Sequence, residues 1–376
     1  SIDSNANSFF DLLQISSNGV ILESIDRYAV YSGIKRNWQS DLSQVNRESA
    51  QSGGGSLSSE TSVGAFGLAD ANTAAAVKVA SDAFLTATNG LVNEVGLSNL
   101  GLNCAVAESK EFCIQLNSGL LLNTFKKAIP QGASEIEIML RLKSHFGSMI
   151  GTGGANIVCT ISNPRIYCPV YRINNSSVSD SYNAMVSQSG ISWIGESAKT
   201  YINSMANTAN NHVFQINDRS NSLLALVTAI RDNDADTARL NYSNSATNIV
   251  FSGGHVNQFY YQLLGISHPQ SQITMSTDSD GLNCGRAYEE CVKCFGEGGK
   301  YAQAQPGLTQ FKSVTNAWTS TVATGAISSG KGLIAISLKK WDDQLLRYVG
   351  INTANSSTPG TLNLNMSGAP GAVKDL

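Results

Sequence analysis

At 376 residues, with 14% charged residues and a formal net charge of −3, the chain is long enough for two domains and carries no excess of positive charge. This balance argues against nucleic-acid binding, coiled coils and helical repeats. No apolar segment reaches the ~18 residues of a membrane-spanning helix, so we expect a soluble protein with no direct membrane insertion.

The cysteines are an odd and scattered set. They are Cys104, Cys113, Cys159, Cys168, Cys284, Cys291 and Cys294. In a chain of this length the pattern predicts reduced thiols and intracellular folding, with cysteine acting mainly as a small core residue.

The first third of the chain predicts strands followed by a long loop. Residues 9–34 hold two apolar clusters around the turn Ser16-Ser17-Asn18-Gly19, which predicts an opening pair of strands. Residues 39–67 are rich in Ser and Gly and predict a flexible surface loop. The Ala-rich residues 69–85 predict a helix or, alternatively, a loop lying on a neighbour.

The clearest strand pattern lies at residues 135–143, where apolar side chains alternate. They are Ile136, Ile138, Leu140 and Leu142. Residues 156–161 and 166–173 predict further strands, the second with an edge or a bulge at Pro169. The polar residues 174–180 lack apolar periodicity, so we place a domain boundary near residue 178.

The second half is organised around residues 213–273. The apolar run at 223–230 predicts a strand with both faces buried. A long polar loop at 232–252 separates it from a second strand, which ends in a Gly turn and a His-Pro step. Because Pro269 has no N–H to donate, we place the end of that strand there.

Short helices and closing strands complete the predicted elements. Residues 196–206 and 286–295 predict helices, and 278–281 a turn and helix cap. Two later stretches again show the period-2 pattern of a strand. The residues on one face are Ile334, Ile336 and Leu338 in the first stretch and Leu362, Leu364 and Met366 in the second. The fold class is therefore all-β: two tandem β-sandwiches with long loops and a few short helical insertions, over residues 1–178 and 179–376.

Residues 325–332, GAISSGKG, match the phosphate-binding loop up to its last position, where Gly332 replaces the Ser or Thr that holds magnesium. Such a loop opens a helix, whereas the residues after Gly332 predict a strand. We therefore interpret it as a connecting loop.

The Cys291-x-x-Cys294 pair lacks the second pair of ligands that a zinc site needs, although Cys284 leaves a three-cysteine site conceivable. On a helix, cysteines spaced i, i+3 predict one core-facing stripe. Metal or redox use remains the alternative.

The remaining candidates favour structural roles. The histidines His145, His212, His255 and His268 lie far apart, no GxSxG motif occurs, and Asp278-x-Asp280-Gly281 lacks the other ligands of a calcium loop. Assembly of distant residues in three dimensions stays open. The tyrosines Tyr167, Tyr171, Tyr260 and Tyr261 predict core or subunit contacts rather than a sugar or base platform. We therefore predict no catalytic, cofactor-binding or metal-binding residue, and no enzyme.

The order of several short motifs resembles the double jelly-roll major capsid proteins of eukaryotic double-stranded DNA viruses of the polinton-like, adintovirus and virophage group. Arg219, Ser222 and Leu223 match one strand motif of the second jelly roll. A later strand motif matches at Tyr261, Gln262, Gly265 and Pro269, with His268 where an aromatic residue is more typical. Residues 350–353, GINT, match the closing strands, whereas residues 35–110 match nothing in the family.

This resemblance implies a structural protein of the virion capsid, assembled inside the host cell. Each of the two domains would be a jelly roll, and the chain would form a homotrimer whose pseudo-hexameric capsomers tile an icosahedral shell. Its partners would be neighbouring capsomers, penton proteins and minor capsid proteins. The alternatives are a surface or secreted β-sandwich adhesin or lectin and, third, an enzyme that uses residues 325–331.

Overall fold

The computed structural model describes residues 6–39, 111–119, 135–143, 160–168, 172, 174–189, 196–232, 247, 249–251, 254–278, 281–296, 308–312, 331–339, 349–370 and 374–376. Within these residues the protein consists mainly of β-sheets with few helices, as the composition predicts. Several predicted elements lie outside the described residues. They are the loop at 39–67 beyond Gln39, the helix at 69–85 and most of the loop at 232–252.

The chain opens with a 3₁₀ helix, Ala6–Phe9, and a β-hairpin. Strands β1 (Phe10–Ser17) and β2 (Val20–Asp26) pair antiparallel, and β3 (Ile136–Leu142) pairs with the other side of β1, which gives the order β2-β1-β3. Asn18 and Gly19 connect β1 to β2 and both have positive φ, 49° and 76°, as a two-residue hairpin turn requires. The predicted turn and the alternating strand at 135–143 are confirmed.

Helix α1, Tyr28–Gln39, follows the hairpin directly. The prediction that residues 9–34 form only a pair of strands is therefore wrong for its second part. Tyr28 packs with Leu13 and Ile25 in a small core between the sheet and the helix. That contact explains the helix, because burial of one face stabilises a helix more than local propensity does.

Polar contacts hold residues 111–119 against this unit. The backbone N–H of Asn117 donates to the Tyr28 hydroxyl at 2.7 Å, and that of Gly119 donates to the Glu23 carboxylate at 3.0 Å. The Ser118 hydroxyl donates to the same carboxylate. Glu23 is 2% exposed, so these donors offset part of the cost of burying a carboxylate.

The larger sheet belongs to the second half and has the order β10-β9-β14-β5. Its strands are β5 (Asn211–Ile216), β9 (Gly254–Leu263), β10 (Ile266–Thr274) and β14 (Gly360–Met366), and the short β8 (Val250–Phe251) pairs with β9. All of these pairs are antiparallel. The predicted alternation at Leu362, Leu364 and Met366 is confirmed, since all three are buried.

A second, two-stranded sheet faces the first. It pairs β6 (Ala225–Thr228) with β13 (Ile334–Ser337), and an antiparallel bridge between Leu223 and Ile351 extends it. The Tyr261 hydroxyl from β9 donates to the carbonyl of Ile334 at 3.1 Å and lies 2.9 Å from the Thr228 hydroxyl. One buried phenol thus joins the two layers.

In the second half, one antiparallel strand pair is nested within another, because both strands of the inner pair lie between those of the outer pair in sequence. The outer pair joins β5 to β14, and the inner pair joins β6 to β13. The two pairs lie in different sheets. Among the described residues, β5 and β14 therefore enclose β6 and β13 in sequence, and β9 pairs with the other side of β14.

A helix packs directly against β13. Helix α3, Gly285–Phe295, buries Ala287, Cys291, Val292 and Cys294, and confirms the predicted helix. Trp38 from α1 lies 5.6 Å, centroid to centroid, from Phe295 and 6.0 Å from Phe311 of the short helix α4, Leu308–Phe311. The first and last parts of the chain share this core, while the predicted division near residue 178 stays a prediction.

Smaller elements complete the described chain. Strands β11 (Ser276–Asp278) and β12 (Gly281–Asn283) form a hairpin. Strand β15 (Lys374–Asp375) pairs with β4 (Ser204–Met205) and with β7 (Arg231–Asp232). Helix α2, Ser176–Ser189, has no buried residue and begins within the polar stretch used to place the boundary.

Several sequence expectations are corrected. Residues 160–168 contain no strand and residues 196–203 no helix. Both stretches carry exposed apolar side chains, Ile166 and Ile202 among them, so apolar content alone did not indicate a buried element. The run at 223–230 is a strand but is not buried on both faces, because Val227 is 41% exposed.

Pro269 does not end its strand. The stretch forms a hairpin, with Leu264 and Gly265 at the turn, and β10 continues past Pro269 to Thr274. The register with β9 shifts between His268 and Ile273. Because β10 is the outer strand of its sheet, a bulge there accommodates a residue without an N–H.

Candidate functional site

The three cysteines around α3 form a core stripe, as their helical spacing predicts. Cys284, Cys291 and Cys294 are buried, and the Cys291 thiol donates to the carbonyl of Leu333 at 3.4 Å. Burial raises the pKa of Cys291 and that of Cys294 well above their ordinary range. Burial thus favours the neutral thiol form of both and lowers their reactivity as nucleophiles. Among the described residues no group of His, Cys, Asp or Glu is arranged to hold a metal ion.

The end of the Gly-rich motif lies inside the fold. Lys331 is 4% exposed and forms a parallel bridge with Thr247, and β13 begins shortly after Gly332. The strand after the loop is as predicted. Residues 325–330 lie outside the described part of the chain.

The described histidines occupy separate places. His212 Nε2 lies 2.9 Å from the carbonyl oxygen of Ala209, and the ring stacks on Phe214. His255 Nδ1 lies 2.9 Å from the Ser367 hydroxyl, whose oxygen also accepts the backbone N–H of His255. His268 lies at the bulge of β10. Each of these contacts fastens a strand end, and His145 lies outside the described residues.

The tyrosines divide between the core and the surface. Tyr261 is fully buried, and burial raises the pKa of its phenol far above the ordinary value. Tyr260 precedes it in β9 and lies on the opposite face of the sheet, where it is half-buried. Tyr167 is exposed, and Tyr171 lies outside the described residues.

The structure brings together the two motif stretches around Leu223 and Ile351. These residues exchange backbone hydrogen bonds of 2.8 and 3.0 Å. The Ser222 hydroxyl accepts the N–H of Gly350 at 2.8 Å. Motifs 128 residues apart thus pair side by side, and we name residues 218–223 with 350–353 the closing junction.

Thr353 and Asp218 form the polar centre of the closing junction. The Thr353 hydroxyl accepts the N–H of Ser220 at 2.9 Å and lies 3.2 Å from an Asp218 carboxylate oxygen. The other Asp218 oxygen accepts from the Ser220 hydroxyl at 2.9 Å and pairs with Lys199 at 3.2 Å. Sequence inspection missed Asp218, and the motif Asp218-x-Ser220 offered only a turn signal.

A shallow depression beside the closing junction is too small for an organic ligand. Asp218, Thr353 and Gly360 line it with neighbouring apolar residues, and its cavity volume is about 10 Å³. That volume corresponds to about one water molecule. Among the described residues, the Asp218 carboxylate is the only basic group bonded to the junction hydroxyls, and it also pairs with Lys199. These hydrogen bonds hold residues 218–223 and 350–353 together, which is a structural role.

The β1–β2 hairpin presents the most apolar exposed segment in the described first part of the chain. Val20, Ile21 and Leu22 are 62%, 57% and 45% exposed. They begin β2, the outer strand in the order β2-β1-β3. We name these three residues the hairpin tip. An exposed apolar strand at a sheet edge favours contact with another chain.

Neither the family models nor the curated proteins compared with this chain give a match. No described helix combines the length and apolar character that a membrane span requires.

Proposed function

We propose that this chain is a structural major capsid protein built of two jelly rolls. It acts by assembly, forming a homotrimer whose pseudo-hexameric capsomers tile an icosahedral virion shell. Its partners are copies of itself, neighbouring capsomers, and penton and minor capsid proteins. Shell assembly takes place inside the host cell.

The nested pairing of β5 with β14 and of β6 with β13 carries this proposal. A jelly roll arises when a long antiparallel ribbon is rolled into two facing sheets of Greek-key topology. The first strand then pairs with the last, and the second strand with the last but one, in the opposite sheet. The position of β14 between β5 and β9 is the one expected for the return connection of a Greek key, and it supports the same arrangement.

The closing junction supports the proposal because it gives the motif residues a physical role. Ser222 and Leu223 bond to Gly350 and Ile351, where the end of the ribbon meets its beginning. Motif residues that hold strands together are expected in a protein that acts by assembly, because such a protein depends on its folded shape. They also account for a resemblance that consists of short motifs in a fixed order.

The hairpin tip supports assembly because its exposed apolar surface suits a subunit contact. Contacts between chains are depleted in charge at their centre, and Val20, Ile21 and Leu22 form an uncharged run. In an assembled capsomer a neighbouring chain would cover them.

Light scattering after size-exclusion chromatography tests the proposal on the purified full chain. We expect a particle of three times the 39.8 kDa chain mass, and electron micrographs with a six-sided outline. A protein that remains monomeric at high concentration would contradict the proposal.

A charged residue in the hairpin tip sharpens the test. The substitution Ile21→Glu should shift the protein from trimer to monomer, because a buried unpaired charge destabilises a contact. Ser276→Glu, at an exposed polar position of β11, is the matched control and should leave the trimer intact. Circular dichroism verifies that both variants fold.

A further inference from the structure

The outer face of the sheet β10-β9-β14-β5 is an uncharged and mainly polar surface, with Val213 as an exposed apolar residue. Alternate residues of β14 and β9 point into the core, and the residues between them point outward. The register places Thr361 opposite Gln262, Asn363 opposite Tyr260 and Asn365 opposite Gln258. These outward residues form three rows across the two central strands.

The outer strands continue the rows. On β5, Gln215 stands beside Thr361, and Asn211 beside Asn365, with Val213 between them. On β10, Ser267 and Thr274 stand beside the two glutamines of β9. We name this surface, on all four strands, the amide face.

The amide face carries no charged residue. At the 14% charged residues of the whole chain, a face of this size would hold one or two. Without positive charge the face offers nothing to phosphate, nucleic acid or an anionic membrane surface. The ligand that suits the amide face is therefore neutral and rich in hydrogen-bonding groups.

Part of the face has hydrogen-bonding capacity left over. Asn363 donates to the Thr361 hydroxyl at 3.1 Å, and Asn365 accepts from Asn257 at 3.0 Å. By contrast, the side chains of Gln258 and Gln262 form no hydrogen bond within the described residues. Each carboxamide has two donor hydrogens and an acceptor oxygen to offer.

These two glutamines flank an aromatic ring. Along β9 the outward residues are Gln258, Tyr260 and Gln262, spaced roughly 6.7 Å apart by the strand rise. Tyr260 is half-buried, so part of its aromatic side chain is open to a ligand, and the amides on either side offer donors and acceptors. A pyranose has the matching chemistry, with C–H groups on its faces and hydroxyls around its edge.

The dimensions of the amide face separate a sugar from a protein partner. Four strands about 4.8 Å apart and five residues about 3.3 Å apart span roughly 15 by 15 Å, or ~200 Å². A stable protein contact buries ~800 Å² on each partner. The face is therefore too small to hold a second chain by itself, whereas a few sugar rings would cover it.

We propose that the amide face binds a neutral oligosaccharide, with one sugar ring stacked on Tyr260 and its hydroxyls bonded by Gln258 and Gln262. This activity goes beyond shell assembly and does not depend on it. A capsid protein and a free β-sandwich would carry the same face.

The test uses the purified full chain and a panel of neutral glycans, including hexasaccharides of glucose, mannose, xylose and galactose, with sialyllactose as the charged comparison. We expect saturable binding of at least one neutral glycan by titration calorimetry. Tyr260→Ala should weaken it roughly tenfold, which corresponds to ~1.4 kcal/mol. Tyr260→Phe keeps the ring and should bind within about threefold of the unmodified protein.

A double variant and a remote variant complete the design. Gln258→Ala/Gln262→Ala should also weaken binding, while Ser276→Ala on β11 should not. Light scattering on the same samples reports trimer formation separately, so the two proposals fail independently. Absence of binding across the neutral panel would overturn the glycan proposal, as would full binding by Tyr260→Ala. Loss of the trimer in Tyr260→Ala without glycan binding by the unmodified chain would identify the face as a subunit contact and overturn it too.

Discussion

The hydroxyl groups of Tyr261 and Thr228 lie 2.9 Å apart in the middle of the second-half core. Tyr261 gives its one hydrogen to the carbonyl of Ile334, so Thr228 is the donor to the phenol oxygen. The bond joins β9 in one sheet to β6 in the other. It fixes the spacing and offset of the two layers more narrowly than apolar packing does.

Removal of this hydroxyl is expected to destabilise the second half. Tyr261→Phe removes the buried bond to the carbonyl of Ile334 and leaves the partly buried hydroxyl of Thr228 without its acceptor, which should lower the free energy of unfolding by ~1–3 kcal/mol. Urea denaturation measures the change. Tyr260→Phe, on the opposite face of the same strand, should alter stability by less than about 0.5 kcal/mol. Equal losses in the two variants would show that the interlayer bond is unimportant.

The closing junction predicts a difference between two substitutions of Thr353. Thr353→Val removes the hydroxyl that accepts from Ser220 and contacts Asp218, so stability should fall by ~1–3 kcal/mol. Thr353→Ser keeps the hydroxyl and should retain most of the stability of the unmodified protein. Thermal denaturation of the two variants and the unmodified protein measures the difference in stability. A valine variant as stable as the serine variant would show that the Thr353 hydroxyl contributes little to stability.

Trp38 is expected to hold α1 against α3. Its indole packs on Tyr288, Phe295 and Phe311, so Trp38→Ala should cost ~3–5 kcal/mol. Protection of α1 amides from hydrogen exchange should fall first. Tyr167→Ala removes an aromatic residue that is 76% exposed and serves as the control, with a change under about 0.5 kcal/mol. Unchanged exchange in α1 would argue against the contact.

Stability should decrease as the pH falls below neutrality. Partial burial lowers the pKa of His255 and that of His268 below the ordinary value of 6.5. The folded state thus disfavours their charged forms, so the stabilisation is complete above pH 6.5 and is lost as the pH falls through the lowered pKa values. The Tm measured from about pH 7.5 to 5 should fall less steeply in His255→Asn/His268→Asn. Parallel curves would exclude these histidines as the cause.

Cysteine reactivity should follow burial. Cys113 and Cys168 are exposed, whereas Cys284, Cys291 and Cys294 are buried. A maleimide reagent should label the first two within minutes in native buffer and the other three only after unfolding, because labelling needs access and thiolate character. Peptide mass spectrometry assigns each site. Rapid native labelling of Cys291 would contradict its placement on the buried face of α3.

Local pattern was sufficient wherever one residue type repeats with a regular period. The strands at Ile136–Leu142 and Gly360–Met366 and the helix at Gly285–Phe295 follow from spacing alone. Asn18-Gly19 likewise specifies its hairpin, because few residues other than glycine and asparagine adopt positive φ readily. In each case the information lies within a few neighbouring residues.

Long-range contacts decided the rest. Residues 28–34 resemble a strand in composition and form a helix because Tyr28 and Trp38 find partners in two separate cores. The side of β9 that faces the core, and therefore the roles of Tyr260 and Tyr261, depends on β14, which lies a hundred residues away. Period-2 alternation defines two faces without stating which one is covered.

The sequence by itself determined that this is a β-rich chain and that Cys291 and Cys294 face the core, although Cys113 and Cys168 are exposed, and it placed most of the long strands. Only the tertiary structure showed that Leu223 pairs with Ile351, that Pro269 lies inside a bulged strand, and that β6 and β13 nest within β5 and β14. The physical reason is that strand pairing forms hydrogen bonds between backbones, which are the same for nearly every residue. The choice of partner therefore rests on how whole sheets pack, and no single stretch of sequence records it.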